Sequence, residues 1–109
     1  MKKPIHVRQG DVLIERIAAL PKNLTAVPRE SGRVILAHGE ATGHAHAISE
    51  PNVYLHTAAE HAGVTFLEIH EAVAALVHDE HTSINLERGV YRVVRQQEYT
   101  PQEIRRVAD

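Results

Sequence analysis

The amino-acid sequence predicts an all-β fold: a small single-domain β-barrel or sandwich of short strands, taking up residues 1–109. Three observations lead there. Runs of four to eight β-branched and apolar residues recur along the chain, turn residues separate them at close intervals, and no long stretch carries apolar residues at helical spacing. Many short strands with frequent turns and no partner helix must bury their apolar faces on one another, which gives a sandwich or a barrel.

The first expected strand is DVLIERI, Asp11 to Ile17, opened by Gly10. AALPKNLTAVPRESG follows; Pro21 and Pro28 forbid a regular helix, so it reads as a long loop or edge segment. RVILAH, Arg33 to His38, is a second strand, and GEATG is a turn in which Gly39 and Gly43 are free to take positive φ. HAHAI continues as a strand, EPN breaks it, and VYLHT is the next. TAAEHAG has capping-box spacing between Thr57 and Glu60, but it is short enough to read as a loop. VTFLEIH is a strand. AVAALVH fits a strand or a helix, and its valines and surroundings favour the strand. TSINL and GVYRVVRQQEY are further strands, with ERG as the turn between them. TPQEIRRVAD has Thr100, Pro101 and Glu103 at helix-start positions and reads as a short terminal helix or an extended tail.

Composition narrows the chemistry. Hydrophobic residues make up 43%, enough for a small core, and charged residues 24%, too many apolar groups and too balanced a charge for a disordered chain. The longest apolar run, AVAALV (Ala72 to Val77), is far too short to cross a bilayer, and the charged start MKKPIHVRQGD has no apolar signal segment behind it. A cytoplasmic, non-membrane protein is therefore expected. There is no cysteine, so disulfides and thiolate chemistry are excluded and a zinc site would need nitrogen and oxygen ligands.

The net charge of −2 hides a sharp division. Residues 1–33 carry seven bases against three acids and residues 88–109 five arginines against three acids, whereas residues 34–87 carry eight acids and no Lys or Arg. Eight of the nine histidines fall in that acidic middle. A negative local field favours protonated imidazole, and the absence of competing cationic side chains favours capture of a metal ion.

Two histidine pairs have site-forming spacing. On a strand, His44 and His46 point to the same face with Cα atoms roughly 6.5–7 Å apart, a separation from which both rings can reach one ion. His78 and His81 flank Asp79 and Glu80. If those two form a hairpin turn, the rings face one another across the strands; if the segment is helical, i and i+3 again share a face. Asp79 and Glu80 then serve as ligands or as acceptors that orient imidazole N–H groups. His38, His56, His61 and His70, taken singly, read as surface or hydrogen-bonded histidines.

HAHAISE, with Gly39 and Gly43 before it, resembles the H-x-H-x3-E core of the first cupin motif. The resemblance implies a small β-barrel that binds a divalent metal through His44, His46 and Glu50. At the second cupin motif, P-x-G-x2-H-x3-N, the chain keeps Gly89 but has Glu87 for Pro, Arg92 for His and Gln96 for Asn, so it supplies no fourth ligand there. The G-H-x-H segment and RQQEYTP (Arg95 to Pro101) resemble small uncharacterised bacterial and phage-borne proteins, from which no function travels. DVLIERI followed by GRVILAHGE is similar in order to the N-terminal part of co-chaperonin barrels, which are non-catalytic and assemble into rings.

No Gly-rich phosphate loop, G-x-S-x-G elbow or thiol nucleophile is present. The C-terminal arginines and tyrosines are interspersed with acids, so a solvated strand face is expected there and nucleic acid is not the expected partner. Basic ends around an acidic middle are compatible with a homo-oligomer. The sequence thus predicts a divalent-metal protein, with zinc, iron, nickel or manganese as the ion and His44, His46, Glu50, His78 and His81 as its ligands. The competing expectation is a non-catalytic oligomeric interaction or assembly module with no metal site. Neither substrate, small-molecule ligand nor reaction is legible.

Overall fold

A computed structural model describes residues 6–38 and 44–95. They form eight strands: β1 (His6–Gln9), β2 (Val12–Ile17), β3 (Leu24–Val27), β4 (Val34–His38), β5 (Ala45–Ile48), β6 (Val53–Ala58), β7 (Val64–His78) and β8 (His81–Arg95). Every pairing between them is antiparallel, in the order β1-β2-β8-β7-β5-β4, with β6 also on β7 and β3 on β6. The fold is all-β, as expected. No pairing joins the end strands β1, β3 and β4 among the described residues, so the sheet is an open, folded-over one rather than a closed barrel.

Three expectations are corrected and one is narrowed. β1 precedes the first expected strand; its four residues carry little alternation and are held by β2 across the Gly10–Asp11 turn. In the proline-flanked segment, the edge alternative holds and the loop one does not: pairing with β6 makes β3 an edge strand between Pro21 and Pro28. VTFLEIH and AVAALVH are one fifteen-residue strand, β7, whose pairing continues through a register shift between Ile69 and Val73. ERG is not a turn but the middle of β8, where Gly89 pairs with Ile69. Its φ of 152° suits glycine, and a Cβ there would lie 2.7 Å from the Arg16 guanidinium. The sites expected at Gln96 to Asp109, the terminal helix included, lie outside the described residues.

The β7–β8 hairpin is the spine. The first half of β7 pairs with β6 (Val53↔Ile69 to Thr57↔Thr65) and its second half with β5 (Ala47↔Val77, Ile48↔Leu76), so the shift between Ile69 and Val73 marks the hand-over from one neighbour to the other. A bulge there bends the strand. The bend has a measurable consequence. His81 and Arg95 stand at opposite ends of β8, and a straight strand would separate them by roughly 46 Å. Yet Asp11 accepts from Arg95 Nε at 2.6 Å while Gly10, its neighbour, packs against the ring of His81. The spine therefore doubles over, and the β1–β2 turn bridges its two ends.

Inside the fold, Val12, Ile14, Ile48, Leu67, Leu76 and Tyr91 are fully buried in one apolar cluster. Tyr91 brings a hydroxyl into it without leaving that group unpaired. The hydroxyl donates to Glu87 O and accepts from Arg16, whose guanidinium carbon lies 5.4 Å from the ring centre. A smaller cluster of Ile35, Ala45 and Ala47 covers the opposite face of β5. That strand is buried on both faces, so its inward histidine is enclosed.

Candidate metal centre

Three segments far apart in sequence meet at one end of the spine. The first is the Gly10–Asp11 hairpin turn. Gly10 takes φ +60° and Asp11 does not take positive φ, which is the pattern of a type II′ turn with glycine at its first central position. A Cβ at Gly10 would lie 2.7 Å from His81 Nε2 and 3.3 Å from His46 Cε1, so only glycine lets the turn close down on these rings. The second is β5, whose pleat puts His46 and Ile48 inward and Ala45 and Ala47 outward. The third is the two-residue turn Asp79–Glu80, with His78 and His81 paired across it as the hairpin reading expects. Neither turn residue takes positive φ, so this is not a primed hairpin turn; a register shift between Leu76 and His78 takes up the mismatch.

Four imidazoles converge there. The ring centres of His46 and His78 are 4.3 Å apart, those of His78 and His81 4.7 Å, His46 and His81 5.8 Å, and His44 and His78 5.9 Å. His46 and His78 are buried, His44 is half-buried and His81 is exposed. Ligand atoms of His44, His78 and Glu80 all lie within 4.8 Å of one another, so this group can hold a metal ion. His44 Nδ1 is 2.9 Å from Glu80 Oε1, and His44 Nε2 is 3.9 Å from Asp79 Oδ2.

Hydrogen bonds assign the protons. Gln9 is buried, and its Nε2 donates to Leu76 O and to Thr82 O, each at 3.0 Å. Its Oε1 can then only accept, and it accepts from His46 Nδ1 at 2.8 Å. The proton of neutral His46 is thus on Nδ1, leaving a lone pair on Nε2. His46 Nε2 lies 3.5 Å from Asp11 Oδ1. At His78 the arrangement is reversed: Nδ1 accepts from the Glu80 amide at 3.0 Å, which puts the ring proton on Nε2. A neutral imidazole bound to a metal has one nitrogen on the ion and a proton on the other, so an ion on His78 must break that amide contact.

The electrostatics favour a neutral His46 ring. Burial depresses the His46 pKa, the neighbouring His78 and His81 push it further down, and Asp11 opposes them only in part. Burial alone would raise Asp11, but the hydrogen bond and charge of Arg95 outweigh it and hold the carboxyl below its usual range. The His44 hydrogen bond likewise lowers Glu80.

Of the five residues expected as ligands, the fold brings together His44, His46, His78 and His81. Glu50 stands apart. Its Oε2 accepts from the Ala75 amide at 2.8 Å, where it extends the β5–β7 ladder by one side-chain bond. Ala75 is three residues back from His78, roughly 10 Å along the strand. Arg92, at the cupin histidine position, pairs with Glu15 at 3.1 Å on the outer face of β8. Gln9, Asp11 and Arg95 were missed. Their only sequence signal is the turn glycine before Asp11, and nothing in it points to His46 thirty-five residues on. The other five histidines have partners of their own: His6 pairs with Glu15, His38 is 3.2 Å from Glu30, His56 and His70 both meet Glu68, and His61 meets the edge of Phe66.

Among the described residues no helix is long and apolar enough to cross a membrane. No curated protein and no solved structure matches the chain. A family model does match, over residues 8–96, a span that contains every residue of the centre, and the chain belongs to that family, described as Domain of unknown function (DUF8820).

Proposed function

We propose that the protein binds a divalent transition-metal ion at the end of the β7–β8 spine, through His44 and His78 with Glu80, and with His46 and His81 beside them. The observation that carries this reading is the mutual approach of three ligand atoms within 4.8 Å on a half-open rim. The donor set supports it: imidazole nitrogen with a carboxylate suits zinc, iron, nickel or manganese, and no thiolate is present to select a softer ion. The buried Gln9 side chain, whose hydrogen bonds orient His46, is the kind of outer support that ligating histidines have. Glu80, at the centre, takes the carboxylate place that the sequence reading gave to Glu50.

The test is calorimetric titration of zinc into untagged, metal-stripped protein. One or more zinc ions per chain, bound micromolar or tighter, with a rise in melting temperature that a chelator reverses, supports the reading. Weak, sub-stoichiometric zinc with unchanged melting refutes it.

A second reading, a homo-oligomeric assembly module, is favoured by a different observation. Val73 and Val77 are about half exposed on the outward face of β7, with Tyr54 on the neighbouring β6. Sedimentation of the metal-free protein decides it: a stable oligomer that Val73→Lys dissociates supports assembly, and a monomer at all concentrations removes it.

A further inference from the structure

We propose a second divalent-cation position in the same centre, between His46 Nε2 and Asp11 Oδ1, with His81 as the third ligand. It rests on the metal reading above and extends it from one ion to two.

The hydrogen-bond assignment creates the position. Both amide hydrogens of Gln9 are committed to backbone carbonyls, so its oxygen cannot exchange places with its nitrogen, and the His46 lone pair is held on Nε2. That lone pair faces a carboxylate oxygen at 3.5 Å. Asp11 has no proton to offer, because its other oxygen accepts from Arg95 at 2.6 Å. Two acceptors thus confront one another beside an imidazole that is only 3% exposed. Such a pair needs a cation between them.

The distance discriminates between a proton and a metal. A charge-assisted N–H···O bond closes to about 2.7–2.9 Å. Two ligand atoms each about 2.1 Å from a tetrahedral ion stand about 3.4 Å apart. The observed 3.5 Å matches the second arrangement.

The surroundings complete it. Gly10 lets the turn close onto the rings, so that His81 Nε2 and His46 Cε1 both border the place where a Cβ would stand, 2.7 Å and 3.3 Å from it. Among the described residues no hydrogen bond holds the exposed His81 ring, which lies 5.8 Å from the His46 ring and 4.7 Å from the His78 ring, centre to centre, and would have to turn to ligate. Neither His46 nor Asp11 belongs to the rim group of His44, His78 and Glu80, and by the same 4.8 Å measure His46, Asp11 and His81 do not yet form a group of three, so the second position has two ligands in place and takes its third only when His81 turns. His78, 4.3 Å from His46 ring to ring, lies between the two positions.

Asp11→Asn tests the proposal with zinc on the full untagged chain. The asparagine oxygen keeps the Arg95 contact while its N–H₂ donates to His46 Nε2 and occupies the lone pair. The expected result is two zinc ions per chain for the native protein and one for D11N, with the melting temperature of the metal-free variant unchanged. One zinc in both proteins overturns the second position and leaves the rim site standing. No zinc in either overturns both readings. A D11N protein that melts lower yet still takes two ions makes Asp11 a purely structural partner of Arg95 and overturns the proposal. Should D11N fold poorly, nitrogen-15 shifts of the native protein decide: His46 Nε2 moves from the free-lone-pair to the metal-bound range as zinc is added up to two equivalents, and an unmoved Nε2 overturns it.

Discussion

Two histidine clusters form along β7, one at its middle and one at its end, and they differ in what their ring nitrogens face. At the middle of β6 and β7, Glu68 receives His56 Nε2 on one oxygen at 2.6 Å and His70 Nε2 on the other at 3.1 Å. Donors meet acceptors, and each carboxylate oxygen has its partner. At the end of β7, a fixed lone pair on His46 meets Asp11, and His44, His78 and Glu80 crowd onto one rim. Both clusters combine imidazole with carboxylate in the acidic middle of the chain. Histidine density therefore does not by itself make a site; a site requires ring nitrogens whose lone pairs converge.

The comparison can be broken most severely through Gln9. Gln9→Leu leaves the buried Leu76 carbonyl and the His46 N–H without their partner, while the Thr82 carbonyl can turn to water; at about 1–3 kcal/mol for each buried unsatisfied group the loss reaches roughly 2–6 kcal/mol. Urea denaturation of the metal-free protein measures it. Glu68→Gln, at the other, partly buried cluster, keeps an oxygen to accept from one of its two histidines and is expected to cost about 1 kcal/mol. Equal losses would remove the distinction between a built centre and a surface network.

Zinc affinity sharpens the contrast next. His44→Ala is expected to weaken rim binding about a hundredfold, roughly 2.7 kcal/mol, while His56→Ala changes it less than twofold. Titration calorimetry of both variants reads this directly. Parity between them would mean that zinc binds wherever imidazoles are exposed.

Glu50 separates the cupin-like expectation from the observed placement. Glu50→Gln keeps an oxygen for the Ala75 amide, so a loss of about 1 kcal/mol or less and unchanged zinc binding are expected from the hydrogen bond seen here. A loss of zinc comparable with that of His44→Ala would return Glu50 to the ligand set.

The smallest expected effect is on pH dependence. Partial burial would raise the Glu68 pKa, but hydrogen bonds from His56 and His70 outweigh it and leave the folded value below the ordinary 4.5. A depressed carboxylate contributes stability in full above its unfolded pKa and loses it as pH falls through the folded value. Melting curves of native protein and E68Q should therefore converge below pH 4.5, where the native protein loses the advantage it holds above. A constant gap down to strong acid would contradict the assignment.

Much of the sheet was readable because short apolar and β-branched runs end at clear turn residues. Val34–His38, Ala45–Ile48 and Val53–Ala58 appear close to where their apolar runs place them. β1 and β3 escaped because four weakly alternating residues acquire strand geometry from the partner they pair with, and that partner is not a local property. The two halves of β7 and of β8 read as separate strands for a related reason: a bulge and an in-strand glycine look locally like punctuation, and only the ladder shows that pairing continues through them. At the centre, His44 and His46 were legible from the two-residue pleat and His78 with His81 from a two-residue turn. Their meeting with Gln9 and Asp11 depends on the doubling over of β8, which no spacing encodes. Glu50 followed the cupin spacing, but β5 ends at Ile48, and beyond it the side chain turns to the Ala75 amide.

The central claim is that lone pairs converge on a metal at the end of the spine, and a zinc-loaded crystal measured at the zinc absorption edge tests it most directly. The account predicts an anomalous peak about 2.0–2.2 Å from ligand atoms of His44, His78 and Glu80, with the Glu80 amide released from His78 Nδ1. Zinc found only at His56, His70 or lattice contacts, with the Glu80 amide still bonded to His78, would contradict it.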